Sequence, residues 1–69
     1  MSWDQPVFSS QCTAVGYADN GDLIITWKNG KRSAYAGVGE DLALQVANAA
    51  SVGQFLNSEI KPNYSHRYV

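Results

Sequence analysis

Two stretches of this 69-residue chain combine side chains of the type and spacing needed to hold an anion. Lys28, Lys31 and Arg32 crowd an Asn29-Gly30 pair, and Tyr64-Ser65-His66-Arg67-Tyr68 interleaves rings with cationic groups. Ammonium and guanidinium groups bind phosphate, and aromatic faces stack on bases. Trp27, Tyr17, Tyr35 and Tyr64 offer such faces. Lys31 and Arg32 are the candidates for phosphate contact, and Tyr35 and Tyr64 for stacking. Arg67 and Ser10 are supporting candidates. Each also has a plainer reading. Lysines beside a hairpin guard a sheet edge. Rings enlarge a small core. A Ser9-Ser10 pair makes turns that mimic the backbone.

The usual catalytic patterns are missing. The sequence holds no nucleophile elbow, no carboxylates paired in a motif and no histidine–carboxylate set. Cys12 and His66 are the single cysteine and the single histidine, too few for a disulfide or a structural zinc set. Gly37-Val38-Gly39 has neither the phosphate-loop nor the dinucleotide spacing and reads as a flexible turn. The expectation is a protein without catalytic residues, metal or cofactor.

Five basic and six acidic residues give a net charge of −1, which does not favour nucleic acid or an anionic membrane. No apolar run approaches the roughly 20 residues of a membrane span. The opening residues lack the basic and apolar regions of a signal peptide. A lone cysteine suits a reducing compartment, so a cytoplasmic protein is expected. A chain of this size buries only about 60% of its unfolded surface. With no disulfide or metal to staple it, association with copies of itself is the remaining common route to stability.

The elements that would position these groups follow from periodicity. Residues 1–8 read as an arm whose Trp3, Val7 and Phe8 pack against the body or a neighbour, and residues 9–69 as one domain. Gln11 to Tyr17 is the first strand, with Cys12, Ala14 and Gly16 on one face and Thr13, Val15 and Tyr17 on the other. Asn20-Gly21 suits a type I′ turn. Leu23 to Lys28 and Lys31 to Ala36 are the next strands, joined at Asn29-Gly30. Leu23 to Lys28 is partly apolar on both faces, as a strand covered on both sides would be. In the third strand, Lys31, Ser33 and Tyr35 share one face, and Arg32, Ala34 and Ala36 the other. The meander sets Asp19 and Asp22 at one end of the sheet and Lys28, Lys31 and Arg32 at the opposite end.

Glu40 to Ala50 then carries helical spacing, with Leu42, Val46 and Ala49 as the core stripe, widened by Leu44 and Ala47. Ser51-Val52-Gly53-Gln54 is a capping box that starts a second helix near Val52. Pro62 ends that helix near Ile60. Tyr64 to Val69 is an extended tail and a candidate strand for a sheet edge. The predicted class is α+β: a three-stranded antiparallel β-meander followed by two short α-helices packed on one face, with an extended C-terminal tail.

The ordered residues Ser9-Ser10, Val15-Gly16-Tyr17, Asn29-Gly30, Tyr35-Ala36-Gly37-Val38, Ser51, Gly53, Phe55, Asn57, Ile60 and Tyr64 resemble the KTSC family. The family occurs C-terminal to some lysyl-tRNA synthetases and as stand-alone proteins of bacteria and their phages. The resemblance implies this same α+β fold and no settled activity. Its pattern carries two tyrosines one residue apart in the third strand. Ser33 replaces the first of them here, which implies a gap on one face, and Gly39 stands where the pattern tends to have proline.

These readings lead to a non-enzymatic, homo-oligomeric binding module, an accessory protein of the phage or prophage type in the host cytoplasm. Its expected ligand is a small anion such as a nucleotide, held without cleavage and in the most specific version a nucleotide immune signal. One alternative is a module that contacts RNA or DNA. The other is a protein-interaction module, such as an inhibitor of a host enzyme or a virion component, in which the arm around Trp3 and Phe8 would matter most.

Overall fold

In the computed structural model, which describes residues 2–69, five antiparallel strands lie in sequence order: β1 (Trp3–Pro6), β2 (Cys12–Tyr17), β3 (Leu23–Trp27), β4 (Arg32–Tyr35) and β5 (His66–Tyr68). Between β4 and β5 run α1 (Glu40–Ala47) and α2 (Val52–Phe55), and α2 continues into a π-helical turn over Leu56–Ile60. The three-stranded meander is therefore the middle of a five-stranded sheet. The arm supplies one edge strand and the tail the other.

The tail, a candidate edge strand, forms one as β5, whereas β1 escapes a reading by periodicity. Trp3-Asp4-Gln5-Pro6 has no apolar alternation. It is recruited by Gly16, whose partner across the ladder is Asp4. A Cβ on Gly16 would sit 2.9 Å from Asp4 Oδ1 and 3.2 Å from the Trp3 carbonyl oxygen, so only glycine lets β1 lie this close. Trp3 then stacks on Tyr17, ring centroids 6.1 Å apart, and its Nε1 donates to Glu40 Oε2 at 3.3 Å.

Ladder partners share a face. One face of the sheet collects Trp3, Gln5, Cys12, Val15, Leu23, Ile25, Trp27, Ser33, Tyr35, His66 and Tyr68. A register shift between Cys12 and Ala14 absorbs Thr13. A bulge of this kind resets the alternation, so Cys12 and Val15 are both buried, whereas strict alternation assigned them to opposite faces. The outer face carries Ile24, Ala34 and Arg32 with no helix above it. Ile24 is half-buried there, so β3 is not covered on both sides.

The two hairpins also differ from expectation. Neither Asn20 nor Asn29 has positive φ, whereas Gly21 (φ 94°) and Gly30 (φ 87°) do. Each loop spans three residues, closed by Ala18 N–H to Asp22 and by Trp27 N–H to Lys31. A turn followed by a left-handed glycine gives the same strand twist as the type I′ turn expected at Asn20-Gly21.

The helices cover the inner face. Along α1 the buried stripe is Ala43, Val46 and Ala47, while Leu44 is 42% exposed. Alanines at the contact bring the axis close to β2, against which α1 chiefly packs. The helix stops three residues before its predicted end: Asn48 gives both its backbone and its side-chain N–H to the Leu44 carbonyl, at 3.0 and 2.9 Å, and the next N–H, that of Ala49, turns to the Val46 carbonyl at 3.2 Å. The capping box forms in part, with Ser51 Oγ accepting the Gln54 N–H at 3.4 Å. Leu56 and Ile60 close the core with Val15, Leu23 and Ile25, each fully buried. Every such side chain contributes about 1.5–3 kcal/mol by leaving water.

Gly16→Ala should detach β1. Overpacking of this kind costs about 1–3 kcal/mol. The expected result is a lower urea midpoint with faster amide exchange across residues 3–6, and an undisturbed midpoint would refute the close-approach argument.

Candidate functional site

The inner face is not covered over its whole width. The helical layer ends at Lys61, whose Nζ lies 5.3 Å from the centroid of the Trp27 ring on β3. Beyond it, β4 and β5 face a concavity of about 450 Å³. That is within the range of roughly 300–1,000 Å³ of small-molecule sites.

Alternation places its walls. Lys31, Ser33 and Tyr35 point to the inner face from the β4 segment, His66 and Tyr68 from β5, and Trp27 from the end of β3. Asn29 comes from the hairpin loop and Lys61 from the end of the π-helical turn. The rings form a chain: Tyr35 to His66 at 5.4 Å, then His66 edge-on to Tyr68 at 5.6 Å. Lys31 Nζ rests 5.9 Å from the Tyr68 ring centroid. One lysine therefore lies against Trp27 and the other against Tyr68. Ser33, only 1% exposed, accepts the Trp27 indole N–H at 2.8 Å, so both polar groups are satisfied. Ser33 is the residue that stands in place of the family pattern's tyrosine, and the hollow lies over it.

No acidic side chain lines the concavity. Burial, and then the neighbouring Tyr68, push the Tyr35 phenol above its ordinary 10.0, so this wall stays neutral at physiological pH. Lys28 adds a third positive charge at the same hairpin. The acidic residues Asp19, Asp22, Glu40 and Asp41 lie towards the other end, where Gly39 N–H donates to the Gly21 carbonyl. The expected polarity of the sheet is present, and Lys61 reinforces its basic end.

The six residues singled out from the sequence are not gathered in one place. Lys31 and Tyr35 line the concavity. Arg32 points to the outer face, as alternation with Lys31 requires, and lines two other hollows, one at the rim with Lys31, Tyr68 and Val69 and one with Asp4, Gly16 and Ile24. Arg67 is also on the outer face, where its Nη2 donates to Asp22 Oδ2 at 2.8 Å. Tyr64 is half-buried against the core. Ser10 lines a separate hollow of about 330 Å³ where the β1–β2 connection meets α2, with Ser9, Ser51 and Asn57. Six further residues line it: Trp27, read from the sequence only as a possible stacking ring, His66 and Tyr68, read only as part of the aromatic and cationic tail, and Asn29, Ser33 and Lys61, not singled out as ligand contacts. Alternation along β4 and the Ser33 replacement signalled Ser33. His66 and Tyr68 depend on how the tail folds back, and Lys61 on where the π-helical turn ends.

Among the described residues no group of three or more His, Cys, Asp or Glu side chains could hold a metal, and no helix is long and apolar enough to cross a membrane.

Comparison with known proteins agrees with the fold. No curated protein matches the chain. It is similar to a crystal structure of a KTSC domain protein from Yersinia pestis, with a TM-score of 0.88 and 31% identity over 100% of this chain and 99% of that one. The family model for the KTSC domain matches residues 8–64. That span holds β2 to β4, both helices and Tyr64, and leaves out the two edge strands. On this match and this likeness, the chain belongs to the KTSC domain family.

Proposed function

We propose that the protein is a non-enzymatic binding module that holds a small anionic ligand bearing a planar group in the concavity over β4 and β5. A nucleotide is the most specific version. The observation that carries the reading is the pair Lys31 and Lys61, one against each aromatic wall of a hollow with no acidic lining. A phosphoryl group would draw the two ammonium groups off the rings, and Trp27 and Tyr68 would be left free to stack on the base. Ser33 is already engaged by Trp27, and His66 is held between two tyrosines. These side chains are placed to form a wall rather than to transfer protons. A polynucleotide fits less well, because two lysines in a bounded hollow do not track a backbone and the net charge is −1.

One observation favours a second reading. Phe8 is fully exposed beside the Ser10 hollow, so a protein partner could dock there. Removing residues 1–8 would also remove β1, so Phe8→Ser is the cleaner probe. Loss of a captured partner with ligand binding intact would favour that reading.

Calorimetry with a panel of mono-, di- and cyclic nucleotides tests the first. Binding should be measurable for at least one member and weaken only modestly with salt. Losing a charge-assisted contact costs about 1.5–3 kcal/mol, so Lys31→Ala and Lys61→Ala should each weaken it by roughly 10- to 100-fold. No heat and no thermal shift across the panel would end the proposal.

Ser33→Tyr should fill the hollow. It is expected to abolish binding while leaving the fold intact by circular dichroism. Unchanged affinity would place the ligand elsewhere.

A further inference from the structure

The two edges of the sheet are not equivalent. Along β1, Val7 N–H turns inward to Thr13. Alternation then turns Trp3 and Gln5 inward as well, and Asp4 and Pro6 outward. Proline has no N–H, so Asp4 supplies the only outward donor of β1. That edge is blunted in the way natural sheets protect themselves.

Along β5 the parity is set by two bonds to β4: Ala36 N–H to the Ser65 carbonyl at 3.1 Å, and Val69 N–H to the Arg32 carbonyl at 3.0 Å. Ser65, Arg67 and Val69 therefore bond inward, and His66 and Tyr68 present both N–H and C=O to solvent. β5 holds no proline and no acidic side chain. All three of its residues are exposed, and Tyr68 (69%) and Val69 (61%) are two of the exposed large hydrophobic residues of the protein.

We propose that a second copy of this chain docks on β5, pairing antiparallel with its own β5 about a two-fold axis through Arg67. In that register His66 lies opposite the partner's Tyr68, and the outward groups of both residues exchange hydrogen bonds. The ring contact between His66 and Tyr68 within one chain would be repeated across the axis. The two Arg67 side chains meet on the outer face, each already neutralised by its own Asp22 at 2.8 Å. The blunted β1 edge prevents head-to-tail growth, so the pairing closes as a dimer. A two-fold axis normal to the sheet keeps both helical layers on the same side. The two concavities then open onto one trough floored by His66 and Tyr68 of both copies. The docking does not rest on the ligand reading, because its tests read mass and amide exchange without a ligand.

Sedimentation of the full chain from about 1 μM to about 1 mM should show the mass of two chains at the upper end. Amides of His66 and Tyr68 should exchange more slowly as concentration rises, while those of Asp4 stay unchanged. Tyr68→Pro removes an outward donor without breaking a β4–β5 bond and should weaken association at least about tenfold. The matching substitution on the other edge, Asp4→Pro, should leave it unchanged. A single-chain mass at the highest concentration would overturn the proposal. So would a dimer in which the His66 and Tyr68 amides exchange as fast as in dilute solution. If Tyr68→Pro fails to fold, amide exchange in the unsubstituted chain decides the matter.

Discussion

The structure turns on how much sheet its helices can cover. Five strands spaced about 4.8 Å apart make a face roughly 19 Å wide. Here the helical layer is an eight-residue helix and a nine-residue piece that is part α and part π. α1 is seated on β2 by Ala43, Val46 and Ala47, and the second piece reaches only as far as Trp27 through Lys61. Nothing remains to cover β5, so its inner-face residues line a hollow while those of β2 and β3 form the core. The site and the exposed edge have the same cause.

Within that limit, side-chain alternation decides what the hollow contains. Lys31, Ser33 and Tyr35 are two residues apart and face inward together. Arg32 and Ala34, between them, face outward. This was legible in the sequence, and it separates Lys31 from Arg32 although the two are adjacent and alike in charge. The Ser33 replacement was legible too, as a gap on one face. The middle strands, the capping box at Ser51 and the ends of the second helix followed from turn chemistry and period, because those signals are local.

What was not legible depends on partners distant in sequence. β1 has four residues, one of them proline, and its pairing rests on the missing side chain of Gly16. β5 has three residues, and although the tail reads as a candidate edge strand, nothing local gives its partner or register. The bulge at Thr13 reverses the face of Cys12, a one-residue shift that no alternating pattern can reveal. Lys61 enters the site because the π-helical turn ends beside Trp27. Arg67 leaves it because the ladder places Arg67 opposite Ala34, on the face away from the hollow.

The Trp27–Ser33 bond shows what keeps the hollow open. A buried hydroxyl without a partner costs about 1–3 kcal/mol, and an indole N–H at the edge of a core faces a similar penalty. Joined at 2.8 Å, the two groups satisfy one another and hold Trp27 in position below Lys61. A tyrosine at position 33 would gain apolar burial in a chain that has little to spare. Serine forgoes that burial and leaves an aromatic space with a cation on each of two sides. A hollow of this kind costs stability, and that cost is the physical argument for the proposed ligand.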